Sequence, residues 1–157
     1  MMKKIKYFLI LSLFLFSSCG FKVLNQNELN NFNIVNITTN GDKRINYKIR
    51  NNLISQTQNN TDNNVMLKIS TEKSKNIKEK NIKNEITKYS LKIQAKVELQ
   101  EIGKGKLSKF IVADTMDYEV AKHHSKTLDN EKKIIDLIIE NIADKILNNI
   151  RNELDAI

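Results

Sequence analysis

The sharpest pattern in this chain is the run YSLKIQAKVELQ, residues 89–100. Tyr89, Leu91, Ile93, Ala95, Val97 and Leu99 alternate there with Ser90, Lys92, Gln94, Lys96, Glu98 and Gln100. A period of two places the apolar members on one side of a pleated strand and the polar members on the other, so the run predicts a strand with one dry and one wet face. It is long beside the usual five or six residues. Val65, Leu67 and Ile69 alternate with Met66, Lys68 and Ser70 in the same way and predict another strand. A third is expected from about Leu107 to Val120, where Phe110, Val112, Met116 and Tyr118 share a parity that Asp114 interrupts. FNIVNI, residues 32–37, is a short strand candidate ahead of them.

Two stretches change period. Ile45, Ile49 and Leu53 recur every four residues with Tyr47 and Ile54 beside them, which predicts a helix of about four turns with a narrow apolar stripe. Asn40 or Asp42, in the turn before it, can cap its first backbone N–H groups. The helix should stop in the polar loop QTQNNTDNN, residues 56–64. Near the end of the chain, Ile135, Ile138, Ile139, Ile142, Ile146, Ile150 and Leu154 form a long stripe. Ile134, Leu137, Ala143 and Leu147 widen it beyond a coiled-coil seam, so this helix, about Leu128 to Leu154, should lie across a sheet. The order strand, helix, three strands, helix gives a parallel crossover followed by an antiparallel meander. The expected fold class is α+β: a two-layer sandwich with a four-stranded mixed sheet and both helices on one face.

The connections carry their own signals. TEKSKNIKEKNIKNE, residues 71–85, lies between two strands, is heavily charged and predicts an extended, solvent-exposed hairpin end, across which Ile77 and Ile82 could pair. GKGK, residues 103–106, raises the question of a phosphate loop. Such a loop needs a longer glycine-rich run ending in Lys-Ser/Thr and opening a helix. Gly103 and Gly105 stand instead between two strand patterns, which reads as a hairpin turn.

The N-terminus has a different texture. Lys3, Lys4 and Lys6 precede an apolar run from Tyr7 to Phe16 broken only by Ser12, and the small residues Ser17 and Ser18 follow. Those are the parts of a secretory signal peptide, residues 1–18, and the run is short of the roughly 20 apolar residues that span a bilayer. Cys19 comes next and is the single cysteine of the chain, without a disulfide partner or a metal-ligand spacing. Ser17-Ser18-Cys19-Gly20 resembles the lipobox of bacterial lipoproteins, in which the cysteine sulfur takes a diacylglyceryl group and the cysteine becomes the new N-terminus. Phe16 stands where that pattern usually has Leu. Lipoproteins retained in the inner membrane commonly carry Asp after the cysteine, so Gly20 favours sorting to the outer membrane. Residues 19–31 would then be a lipidated tether, and residues 32–157 one α+β domain of ordinary size.

Composition narrows the choice of partners. Removing residues 1–18, with three lysines and no acid, lowers the formal net charge from +8 to +5. Asn, Ile and Lys dominate, there are three arginines, and Pro and Trp are absent, a texture that suggests AT-rich coding and inflates lysine without a ligand. An exported basic protein points to anionic lipid or plain solubility before nucleic acid, which is not expected as a partner. Converging catalytic groups are not evident. His123 and His124 are neighbours and make a poor chelating pair. With Asp114 and Asp117 upstream they are the one imaginable metal set, and a polar turn into the last helix accounts for them better. Asp129 and Glu131 read as acids in a first helical turn, favoured by the helix dipole. No enzyme activity, cofactor or metal is expected. Lys88, Lys92 and Lys96 form a row on the wet strand face. They are either a solvated sheet face or a candidate lipopolysaccharide-binding site in which lysines meet phosphates as point charges.

CGFK, residues 19–22, opens the expected mature chain. Together with the helix DKRINYKIRNNL, the long meander, and the Tyr-containing strand end that feeds the last helix in DYEVAKHHSKTLDNEKKIIDLIIENIADKIL, it resembles the LptE family of lipopolysaccharide-assembly lipoproteins. The resemblance covers nearly the whole chain in order and length. It departs at Val23, near which the family usually has Pro, and in a last helix that lacks the family's Ala- and Arg-rich texture. It implies an outer-membrane lipoprotein, lipid-anchored on the periplasmic side, that binds the β-barrel protein LptD and assists lipopolysaccharide transport without making or breaking a bond. The alternative is an auxiliary or scaffold lipoprotein of another cell-envelope transporter that does not bind lipopolysaccharide. A small periplasmic hydrolase would need a pocket holding His123 or His124 beside Asp114.

Overall fold

The computed structural model describes residues 32–57, 61 and 63–155; the expected signal peptide (1–18), the expected tether (19–31) and Cys19 lie outside them. The element order is β1 (Asn33–Asn40), α1 (Lys43–Ser55), β2 (Asn64–Lys80), β3 (Ile86–Glu101), β4 (Leu107–Glu119) and α2 (His124–Asp155). The strands form one sheet in the order β1-β2-β3-β4, parallel between β1 and β2 and antiparallel thereafter. With α1 lying over β1 and β2, and α2 over β3 and β4, the expected two-layer α+β sandwich is the observed one.

Register converts the period-two patterns into a core. Leu67 stands opposite Leu99 and Ile69 opposite Val97, while Ala95 lies between Thr71 and Val112 in one cross-strand row. The helices close this face with Ile45, Ile49 and Leu53 of α1 and Ile138, Ile139, Ile142, Ala143, Ile146, Leu147 and Ile150 of α2, all buried. Fully burying an isoleucine is worth about 1.5–3 kcal/mol. An exposed ion pair gives about 0–1 kcal/mol. The apolar layer, not the many lysine–carboxylate pairs outside it, therefore holds helices to sheet. Length matches as well: 32 residues of α2 rise about 48 Å, and 16 residues of β3 about 53 Å.

Three boundaries differ from the sequence expectation. β1 continues to Asn40, because its pairing with β2 carries the ladder as far as Ser70. The charged segment after Thr71 is mostly strand: β2 and β3 pair out to Lys80 and Ile86, leaving a tip of residues 81–85. Ile77 faces Tyr89, and Ile82 sits fully exposed on the tip instead of pairing with Ile77. Beyond the Ile77–Tyr89 pair, backbone ladder bonds carry the solvated end of the hairpin. Finally, α2 begins at His124, so Asp129 and Glu131 lie beyond its first turn, which holds no acid. Thr127 orders that start by accepting from Ala121 N at 2.9 Å.

A buried polar joint connects β1, α1 and β2. Asp42 is the cap: its Oδ1 accepts from Arg44 N at 2.9 Å and Ile45 N at 3.2 Å. One turn on, buried Asn46 donates from Nδ2 to Asn40 O at 3.1 Å, and its Oδ1 accepts from the buried Thr71 hydroxyl at 2.8 Å. Gly41 passes between them at φ +104, so close to β2 that a Cβ there would stand 2.2 Å from Thr71 O. The GKGK hairpin is confirmed, with Gly103 and Gly105 at positive φ and both lysines engaged. Lys104 pairs with buried Glu101 at 2.6 Å, and Lys106 donates to Glu153 O of α2 at 2.9 Å.

Candidate functional site

With both helices on one side, no described element covers the other face of the sheet. Lys88, Lys92 and Lys96 do share that open face, as their alternation predicts, but cross-strand neighbours treat them differently. Lys88 is drawn to Glu79 at 3.2 Å and Lys96 to Glu72 at 3.2 Å. Lys92 stands between Ser74 and Thr115, neither of which carries charge, and has no ion-pair partner among the described residues. Farther along, Glu98 lies between Lys68 at 3.6 Å and Lys109 at 3.1 Å, and Asp117 takes Lys78. The Lys109 hydrogen bond, then the charges of Lys109 and Lys68, hold Glu98 below the usual carboxylate range. The face is thus a lattice of compensated charges with one open ammonium, rather than a basic stripe.

The inner face carries a cluster that alternation alone did not reveal. Lys75 continues the inward parity of Val65, Leu67 and Ile69, at the point where the hairpin leaves the helices. Its Nζ lies 2.7 Å from Glu131 Oε2, 4.2 Å from the Tyr89 ring centre and 5.2 Å from that of Tyr118. Tyr118 donates to the same Glu131 oxygen at 2.7 Å and stacks on Tyr89 at 5.6 Å. Cation and ring faces attract by about 0.5–2 kcal/mol, more as water is excluded. The group therefore ties the hairpin base and β4 to α2. A lysine on the parity of a buried strand face was the signal available in the sequence.

Asp114, the residue that breaks the β4 face, is bound from α2: Lys145 reaches its Oδ1 at 2.8 Å and Asn141 its Oδ2 at 2.8 Å. Lys145 also donates to Ala113 O at 2.9 Å, which covers an outward carbonyl of the edge strand. Burial alone would raise the Asp114 and Glu131 carboxyls, but the Lys145 and Asn141 bonds in one case, and the Lys75 and Tyr118 bonds in the other, hold both below the usual range. Carboxylates lowered in the folded state stabilise it fully above their unfolded values and lose that effect as pH falls through the lower folded values. Thermal stability is therefore expected to stay level from neutrality to the ordinary carboxylate range and fall most steeply below it. Asp114→Asn with Glu131→Gln should cost about 1–3 kcal/mol at pH 7 and flatten the acid limb in melts taken across pH. An unchanged acid limb would remove these pairs from the account.

The histidines do not join this chemistry. His124 opens α2, and 17 residues of helix, about 25 Å, separate it from Asn141 beside Asp114. Asp114 and Asp117 also face opposite sides of the sheet. Among the described residues no group of three or more potential ligands could hold a metal. No described helix is long and apolar enough to cross a membrane.

The layers, strand order and open sheet face define an α+β sandwich of a kind found in bacterial lipoproteins. Solved structures similar to the chain include a lipoprotein B from Nitrosomonas europaea, with a TM-score of 0.61 at 13% identity over 87% of this chain and 94% of that one. Rare lipoprotein B from Shewanella oneidensis gives 0.59 at 13% identity over 77% and 97%. A candidate lipoprotein from Caulobacter crescentus CB15 gives 0.56 at 15% identity over 83% and 95%. At these identities the likeness is one of fold. No family model matches the sequence, and no curated protein matches it.

Proposed function

We propose that this chain is an outer-membrane lipoprotein, anchored through Cys19, that binds the LptD barrel and assists the transport of lipopolysaccharide to the outer membrane. The observation that carries the proposal is the coincidence of two independent features. The sequence places a lipobox and CGFK ahead of the domain, and the domain has the fold of a rare lipoprotein B, a name used for LptE homologues. The open sheet face supplies an uncovered surface for a large partner. A C-terminally tagged chain recovered from detergent-solubilised membranes should bring down a large outer-membrane β-barrel protein. Recovery of a different envelope transporter without such a barrel would sink the proposal.

The second reading, an auxiliary or scaffold lipoprotein of another envelope transporter that does not bind lipopolysaccharide, draws on the charge lattice. Glu79 and Glu72 answer two of the three lysines of the candidate lipopolysaccharide row. If the row is that site, Lys88→Ser with Lys92→Ser and Lys96→Ser should weaken lipopolysaccharide retention on the immobilised protein at least tenfold. Retention at the wild-type level would eliminate the row. Lys92→Ser alone is expected to account for most of the loss, being the ammonium without an acidic neighbour.

A further inference from the structure

The joint between β1 and α1 holds the single Asn-Gly step of the chain, Asn40–Gly41. Asn40 is the last residue of β1, where pairing with β2 ends at Ser70, and both Asn40 and Gly41 are exposed. Because Asp42 caps α1, the Asn40 side chain is left to its own backbone, and its Oδ1 accepts from Gly41 N at 2.9 Å. No main-chain carbonyl among the described residues takes that N–H. The fold thus holds the side-chain amide carbon, Cγ, beside the nitrogen of the next peptide, and glycine brings no side chain between them. Exposed Asn36, on the same strand, is followed by branched Ile37. Asn46, within α1, is buried and bonded through both ends of its amide.

We propose that Asn40–Gly41 is a self-modification site, where the folded chain cyclises to a succinimide and reopens as isoaspartate, and that this product loosens the joint of β1, α1 and β2. Hydroxide takes the proton of the Gly41 amide, whose nitrogen then attacks Cγ of Asn40. The new N–Cγ bond closes the ring, the Cγ–Nδ2 bond breaks, and ammonia leaves with a proton from water. Water next opens the ring at either carbonyl. Opening at Cγ gives an ordinary peptide with aspartate; opening at the main-chain carbonyl sends the chain through the side chain as isoaspartate. Ring closure needs the Asn40–Ser70 end of the ladder to open, and strand ends open at the least cost. The isoaspartyl product then lengthens the chain by a methylene and turns the carbonyl that receives Asn46 Nδ2 into a free carboxylate. Gly41 has no room to absorb the longer path, since even a Cβ there would stand 2.2 Å from Thr71 O. The Asn40–Asn46–Thr71 bonds that tie α1 to the sheet are therefore lost together. The inference concerns the folded domain and rests on neither the lipid anchor nor the barrel.

The test ages the full chain, purified in detergent, at mildly alkaline pH and a temperature below its melting transition. Tandem mass spectrometry of proteolytic fragments follows conversion of each asparagine, and enzymatic methylation of isoaspartate identifies the rearranged product. Asn40 should convert at least tenfold faster than Asn36 or any other described asparagine, and faster still as hydroxide rises, because the attacking amide must lose its proton. Aged protein should melt lower in proportion to its isoaspartate content. Asn40→Asp, which carries the new charge without the extra methylene, should melt close to wild type. Asn40→Gln, which cannot close the same ring, should keep its melting temperature through the same ageing. Conversion at Asn40 no faster than at Asn36, conversion only after unfolding in urea, or isoaspartate at 40 without a drop in melting temperature would each overturn the proposal.

Discussion

Gly41→Ala is expected to be the most damaging small substitution in the domain, with a loss of roughly 2–5 kcal/mol. Two costs add. The residue sits at φ +104, where an L side chain is strained, and its new methyl group would stand 2.2 Å from Thr71 O and 2.9 Å from Thr71 Oγ1. Backbone on both sides leaves little room to yield, because Thr71 is fixed in β2 and Gly41 is followed at once by the α1 cap. Any retreat would also disturb the Thr71–Asn46–Asn40 hydrogen bonds that join the first three elements. Gly103→Ala provides the matched control: φ is +91 there, but nothing lies within 4 Å of the added Cβ. It should cost only the strain, about 1 kcal/mol. Chemical denaturation of both variants separates strain from collision, and equal losses would refute the close-approach argument.

Cys19→Ala should have the largest effect on where the protein resides. In the lipoprotein proposed above Cys19 would carry several acyl chains, and each buried CH₂ contributes about 0.8 kcal/mol, so removing the sulfur would remove the whole anchor at once. The variant is expected to move from the membrane pellet to the soluble fraction and to lose incorporation of labelled palmitate. A Cys19→Ala chain that still reached the outer membrane with acyl chains attached would undo the lipoprotein assignment. Gly20→Asp tests sorting separately from anchoring: it should remain acylated and shift to the inner membrane. Both positions lie outside the described residues, and neither substitution is expected to change the melting temperature of the domain.

The fold was legible where burial is one-sided and long. The alternation from Tyr89 to Leu99 and the stripe from Ile135 to Leu154 each repeat often enough that only one face can be buried, and the two-layer arrangement follows from pairing those faces. Of the two capping residues in the turn, Asp42 is the one that the α1 stripe places at the cap. Boundaries were less legible where charged side chains carry a backbone ladder, as in the extended β2–β3 hairpin. There pairing is maintained by main-chain bonds to which the side-chain pattern is nearly blind. The start of α2 is not legible for a related reason: His124 to Thr127 add no apolar stripe, and buried Thr127 makes its contribution through Ala121.

What the sequence determined by itself was periodic or consecutive: the faces of strands and helices, the order of elements, and the signal-like leader with its single cysteine. Such features need only neighbours in the chain, so residue spacing encodes them. The tertiary structure decided which charges are answered. It brought Glu79 and Glu72 to Lys88 and Lys96 while leaving Lys92 between Ser74 and Thr115. It set half-buried Asp114 against Lys145, and gathered Lys75, Tyr89, Tyr118 and Glu131 from three strands and a helix. An ion pair depends on register and packing across distant segments, and a count of lysines along the chain contains neither.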